Sequence, residues 1–275
     1  MKKLALAISV LAISAVGASA ADMAPAPVYT KAPLPPPVLD WTGWYIGANA
    51  GYSWGQSSSF LTGTTSVPSI LAFPISTNMD GGLGGGQIGY NWQFNRNLLF
   101  GFEADIQGTG QRGTADAPIV RFTFPGIFAP GATITATGNL AQSLPWFGTV
   151  RARLGFEPSD HWLLYVTGGL AYGEIDSTAT ATTTLGGTTL TTSGSVNNTQ
   201  VGWTVGAGAE WWLQDRWSVK AEYLYMDLGH VNDSYTFTGL ATGGFATAAI
   251  NSHITDNIVR VGINYHFAGP VVAKY

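Results

Sequence analysis

The sequence predicts an all-β fold: an eight-stranded antiparallel up-and-down transmembrane β-barrel with short periplasmic turns and long extracellular loops. Three observations carry this. Charged residues make up only 10 % of the 275-residue chain, which holds 36 glycines and is 12 % aromatic, whereas about a quarter of a soluble domain is charged. From Trp41 onward, eight segments alternate apolar and polar side chains with period two, and none sustains a helical period. The connections between those segments alternate between short and long.

The chain opens with MKKLALAISVLAISAVGASA. Lys2 and Lys3, an apolar stretch from Leu4 to Val16 and Ala18-Ser19-Ala20 form a secretory signal with its cleavage site, residues 1–20. Residues 21–40 follow as a proline-rich periplasmic linker. Ala24–Pro37 alone holds six of the fourteen prolines, so it reads as an extended spacer, with cell-wall contact as a further expectation. Past residue 20 no apolar run approaches 18 residues, so a helical membrane span is excluded. The net charge of −4 gives no electrostatic case for nucleic acid. Without cysteine there is no disulfide framework and no thiolate metal site.

The eight alternating segments are 44–54, 85–94, 98–108, 145–157, 162–175, 200–213, 217–229 and 254–267. Asn95-Arg96-Asn97, Pro158–His161 and Gln214-Asp215-Arg216 join three pairs of them as short turns of turn-prone residues. The connections at 55–84, 109–144, 176–199 and 230–253 are long and rich in Gly, Ser, Thr and Ala. Disorder and strand pairing above the membrane are both open for them. Short turns at one end and long loops at the other mark an outer-membrane barrel. An even strand count puts both termini in the periplasm. The barrel domain is 41–267, and 268–275 is a C-terminal extension.

Alternation sorts each strand into two faces. Val259, Val261, Ile263, Tyr265 and Phe267 oppose Arg260, Gly262 and Asn264. Phe100, Phe102, Ala104 and Ile106 oppose Gly101, Glu103, Asp105 and Gln107. One face is apolar and the other is glycine, amide and charge. An eight-stranded barrel has room only for filled side chains or one small ligand, so the small and charged face points inward and the large rings face lipid. The lumen then holds Glu103, Asp105, Glu210 and Glu222 against Arg151, Arg153, Lys220 and Arg260. A lone buried charge costs several kcal/mol, and balanced pairs avoid that cost. Glu103 and Asp105 neighbour Arg151 and Arg153 on adjacent strands, and Glu222 neighbours Arg260.

Aromatic residues mark both interfaces. Trp44, Trp92, Trp162, Trp211 and Trp217 lie near the short turns, and Trp146, Tyr172 and Trp203 near the long loops. The step from Trp162 to Tyr172 spans roughly 25 Å, the height of the apolar band. Phe267 or Tyr275 is the terminal aromatic that the assembly machinery reads. Weaker constellations point elsewhere. His230 and His253, with Asp227, Asp233 and Asp256, invite a metal or surface ligand. His230, Asp233, Ser234 and Ser252 invite a hydrolase reading, but nothing fixes a base beside a nucleophile. GGLGGGQIG (81–89) opens a strand, not a helix, so a nucleotide loop is excluded.

Three stretches carry a family likeness: DWTGWYIGANAGYSWG (40–55), LLYVTGGLAYGEI (163–175) and GWTVGAGAEWWLQDRWSVKAEYLYMDLG (202–229). Together they resemble the Omp25/Omp31-like outer-membrane β-barrels of α-proteobacteria, over about residues 40–267. The resemblance implies an abundant outer-membrane barrel with exposed variable loops and no catalytic residues. The function expected is structural, for envelope integrity and surface exposure, with a lumen plugged by charge pairs. A narrow channel for small polar solutes and a surface adhesin are the alternatives. Expected partners are outer-membrane lipid, lipopolysaccharide and the barrel-assembly machinery, with no cofactor, no metal and no enzymatic activity.

Overall fold

The computed structural model describes residues 39–65, 70–95, 97–123, 133–238 and 245–267. The expected signal, the expected linker up to residue 38, Arg96 and residues 268–275 with Tyr275 lie outside the described residues. Eight strands make up the barrel: β1 (Gly43–Thr65), β2 (Ile70–Gln93), β3 (Leu98–Thr123), β4 (Thr133–Ser159), β5 (Trp162–Leu185), β6 (Thr188–Trp212), β7 (Trp217–Thr238) and β8 (Phe245–His266). Each pairs antiparallel with its chain neighbours, and β1 pairs with β8 to close the ring. Within the membrane band this closure pairs the strands all round and leaves no edge facing hydrocarbon.

The membrane band lies between the aromatic residues, from Trp146 to Phe156 in β4, Trp162 to Tyr172 in β5, Trp203 to Trp211 in β6 and Trp217 to Tyr225 in β7. Its outward side chains, among them Phe102, Leu154, Val166, Leu170, Val205 and Val261, are exposed. In water they would be a liability. In lipid they are the surface that holds the barrel in place.

The strands run well beyond that band. β4 has 27 residues and β5 has 24, whereas a tilted span needs about 9–11. Most of each connection expected as a long loop is therefore strand. Thr, Ser, Ala and Gly have too little contrast for their alternation to show in the sequence, but register inherited from the barrel carries the pairing upward. β5 and β6 stay paired to Leu185↔Thr188 and turn through Gly186 and Gly187. Their φ angles of +58° and +85° suit a two-residue primed turn, which requires left-handed backbone at both positions.

Above the membrane the ring divides. The β2–β3 ladder ends at Asp80↔Arg112, and the β6–β7 ladder at Trp203↔Asp227. The other ladders continue to the strand tips. Two four-stranded sheets result, β2-β1-β8-β7 and β3-β4-β5-β6. Bulges at Gly108/Gln111 and at Asp227/Gly229 mark the bases of the two seams, and a bulge bends and twists its strand. Leu140 and Ala179 of one sheet pack with Tyr235, Phe237, Ala248 and Ile250 of the other.

The inward face also differs from the expected glycine, amide and charge. Leu99, Leu163, Tyr165 and Trp212 gather with Trp41 at the periplasmic mouth. Leu83, Phe147, Ala171, Leu224 and Ile258 belong to a second apolar layer above the charges. Room for the inner rings comes from facing glycines: a Cβ at Gly89 would stand 2.3 Å from the Tyr45 ring, and one at Gly208 would stand 2.5 Å from Tyr165. Gly89→Val is therefore expected to destabilise the barrel by about 1–3 kcal/mol through overpacking. Urea unfolding in micelles checks this, and an unchanged midpoint would remove Gly89 from the packing account.

Candidate functional site: the charged lumen

Between the two apolar layers lies one connected ionic cluster. Glu103 and Asp105 project inward from β3, Arg151 and Arg153 from β4, Glu210 from β6, Lys220 and Glu222 from β7 and Arg260 from β8. Each is at most 5 % exposed. Their spacing by two within a strand keeps each pair on the lumen side.

Arg151 is the hub. Its Nη1 lies 2.9 Å from Glu222 Oε1, and its Nη2 lies 3.0 Å from Asp105 Oδ2 and also pairs with Glu103. Arg260 Nη2 bridges Asp105 at 3.0 Å and Glu222 at 2.6 Å. Lys220 Nζ sits 2.9 Å from Glu103 Oε1. Arg153 Nη2 sits 2.8 Å from Glu210 Oε2, and its guanidinium lies 4.3 Å from the Tyr165 ring centroid. All eight charged residues thus join one network, linking the 103/105/151/153 group to the 222/260 pair.

Neutral residues complete it. Tyr45 donates its hydroxyl to Glu103 at 2.7 Å and accepts from Arg153 at 2.9 Å. Tyr165 donates to Glu222, Thr149 to Asp105, and Asn264 and Ser218 to Glu210. His266 Nε2 lies 3.4 Å from Glu210. Of these the sequence placed Asn264 on the inward face, and parity places others with it: His266 shares the face of Arg260, and Tyr45 is the inward neighbour of Trp44. A buried ion pair offsets its desolvation only when the remaining lone pairs and protons are bonded; these residues bond the carboxylate oxygens, while among the described residues Arg153 Nε and Arg260 Nη1 are buried without a hydrogen-bond partner.

The girdle residues sit outside. Trp44, Trp92, Trp162, Trp203, Trp211 and Trp217 are between 44 % and 58 % exposed. Trp162 stacks on Trp211 at 5.7 Å, and Trp217 meets Tyr265 at 5.1 Å. Trp146 and Tyr172 are half-buried and pack edge to face, and the Trp146 indole donates to Glu174 at 3.0 Å. Phe267 is exposed, and its N–H donates to the Trp44 carbonyl at 2.9 Å.

The weaker constellations come apart. His230 stacks on His253 at 4.6 Å on the outer surface, and His253 Nε2 lies 3.1 Å from Asp227 Oδ1. Ser252 points the other way and bonds Ser59 inside. Among the described residues no group of three His, Cys, Asp or Glu is arranged to hold a metal. The glycines of 81–89 lie in the wall of β2.

Trp41 is the residue that sequence reading left unused. It fills the periplasmic mouth edge to face with Trp212 at 5.0 Å. Its indole donates to Glu157 Oε1 at 2.8 Å, and Gln93 donates to Glu157 Oε2 at 2.7 Å. Glu157 lies past Phe156, below the membrane band. Burial pushes its carboxyl up to about 7; the nearby Asp160 and Asp40 charges act in the same direction, and the two hydrogen bonds oppose it. The folded value exceeds the unfolded one of about 4.3. Its stabilisation is therefore complete at low pH and is lost as pH rises through 7. Urea midpoints are expected to fall from pH 5 to pH 8, with that component missing in Glu157→Gln. An identical pH slope in the variant would assign it to other groups.

The family model for the outer membrane protein beta-barrel domain matches residues 8–267. The 31 kDa outer-membrane immunogenic protein of Brucella melitensis biotype 1 is 35 % identical over 268 residues, covering 97 % of this chain and 100 % of the relative. The 22 kDa outer membrane protein of Rhizobium leguminosarum bv. viciae is 26 % identical, covering 84 % and 80 %. The 25 kDa outer-membrane immunogenic protein of Brucella abortus biovar 1 is 24 % identical, covering 90 % and 92 %. Among solved structures, Neisserial surface protein A has 16 % identity and a TM-score of 0.34, covering 82 % of this chain and 98 % of that one. With its closed eight-stranded ring and lipid-facing apolar band, the chain is an outer-membrane protein of a Gram-negative bacterium and belongs to the Omp25/Omp31 family of outer-membrane β-barrels.

Proposed function

We propose that the protein is a non-enzymatic structural barrel that contributes to envelope integrity and presents its long strand extensions to the outside, with its lumen plugged. The ionic cluster supports this reading. Eight charges from five strands are joined across the barrel axis and leave little of their surface accessible. A channel needs a continuous polar path, and the layer containing Phe147, Leu224 and Ile258 interrupts it. A hydrolase needs a base beside its nucleophile, and His230 and Ser252 lie on opposite faces of the wall. The girdle and the strands above it fit contact with outer-membrane lipid and lipopolysaccharide. Phe267 is the proposed recognition residue for assembly.

Conductance across planar bilayers tests the plug. The purified protein is expected to give no reproducible ion steps, and steady openings would overturn the reading. Arg153→Ala separates a lock from a gate. Removing one partner strands Glu210 without its arginine, at a cost of about 3–5 kcal/mol. A lock predicts a lower urea midpoint and no new conductance. Increased leak at near-normal stability would mean a gate.

A further inference from the structure

The two seams above the membrane are treated differently by the sequence. A free strand edge invites pairing with another chain, and proteins blunt it with proline, charge or bulges. At the β2–β3 seam all three are present. Pro74 lies in β2, Pro118 lies in a bulge of β3 between Ala117 and Val120, and Arg112, Asp116 and Arg121 line the same stretch of β3. Proline in a strand is tolerated where its missing N–H faces an edge.

The β6–β7 seam has none of this protection on β6. From Thr188 to Gly202 that strand reads TTLTTSGSVNNTQVG, without a charge or a proline. Among the described residues this stretch pairs with β5 alone, and Gly229–Thr238 of β7 pairs with β8 alone. Asn198 of β6 bonds Asp233 across the seam, and Ser177 of β5 reaches Asp233 and Tyr235 from the same sheet. Above it Gly194 leaves room for the Tyr235 ring, which a Cβ would approach to 3.1 Å.

Asp233 is the unusual residue. It is only 3 % exposed. It is hydrogen-bonded to Asn198, the Tyr235 hydroxyl and Ser177, and among the described residues no cation pairs with it. Burial holds its carboxyl above the ordinary aspartate value. A buried carboxylate beside an uncharged free edge is a complement for an extended segment that carries a base.

We propose that the β6–β7 seam is a strand acceptor. An extended peptide of an extracellular protein pairs antiparallel with the free edge of β6 between Thr188 and Gly202, and its lysine or arginine replaces the Asn198 amide at Asp233. Backbone hydrogen bonds supply most of the affinity. The small hydroxyl and amide side chains of β6 tolerate varied partners, so selection rests on the basic residue.

The test uses the full chain refolded in micelles and two fluorescent peptides. One copies Leu228–Thr238, the stretch of β7 that faces β6 across the seam, with Asp233→Lys. The other carries Asp233→Ser. Both are expected to bind saturably, the lysine form about tenfold tighter, a difference of about 1.4 kcal/mol. Asp233→Asn in the protein should erase that tenfold preference and leave the neutral peptide unaffected. Methylating alternate peptide amides should abolish binding of both. The chain has no cysteine, so Asn198→Cys/Asp233→Cys can be bridged across the seam with a short thiol crosslinker. The bridged form should lose the neutral peptide, and the unbridged form should keep it. Absence of saturable binding, equal binding of methylated peptides, or binding unchanged by the bridge would each overturn the proposal.

Discussion

Everything in this barrel follows from how little space eight strands enclose. A ring of that size has room inside for packed side chains or one small ligand. Lipid outside takes the large rings, so the inner face must be packed with what remains. Here that includes four acids and four bases. In a poorly hydrated interior each is tolerable only because the others are present, and because Tyr45, Tyr165, Thr149, Ser218 and Asn264 bond the carboxylates as well. The cluster therefore imposes register: a slip of one residue on any strand would turn its charges into lipid and strand their partners.

Stacked along the axis, the interior alternates in character. Trp41 and its neighbours close the periplasmic mouth, the ionic cluster follows, an apolar layer lies above it, and a further apolar core joins the two sheets at the top. Each kind of layer does something the other does not. Ionic contacts are directional and set which strand faces which. Apolar contacts are indifferent to register but exclude water, which keeps the ionic contacts strong. Charge provides specificity and the flanking apolar layers provide the low dielectric, so neither is dispensable to a rigid closed wall.

What could be read beforehand was whatever period two exposes. The eight strands, the short turns, the lipid-facing side and the eight inward charges all rest on strong contrast between successive residues, as in Val150, Arg151, Ala152 and Arg153. Above the membrane that contrast fades. ATATTTLGGTTLTTSG alternates between groups of similar polarity, so the sequence carries no strand signal for the β5–β6 hairpin, which is paired to its tip. Inward aromatic residues were overlooked for another reason. Tyr45, Tyr165 and Trp212 have the right parity for the lumen but the wrong size for a narrow one, unless a facing glycine such as Gly89 or Gly208 makes room. That pairing joins strands far apart in sequence or across a turn, and composition does not show it.

The two seams show where the demand for closure ends. In hydrocarbon an unpaired backbone group costs several kcal/mol, so no strand edge is permitted. In water the same edge is hydrated, and the ring is free to divide once it leaves the membrane. The β2–β3 and β6–β7 ladders stop beside the outer girdle, where Tyr52, Trp203 and Tyr225 lie. Division then lets two sheets pack face to face and bury Tyr235 and Phe237 against Leu140 and Ala179, a core that an open ring of eight strands would have left wet. Burying those residues creates four free edges. Proline and charge blunt β2 and β3, whereas β6 keeps an uncharged edge beside the buried Asp233 carboxylate on β7. Because the same strands form the membrane ring below, the acceptor edge continues directly from the closed barrel, and a segment pairing there would meet an edge already paired along its other side with β5.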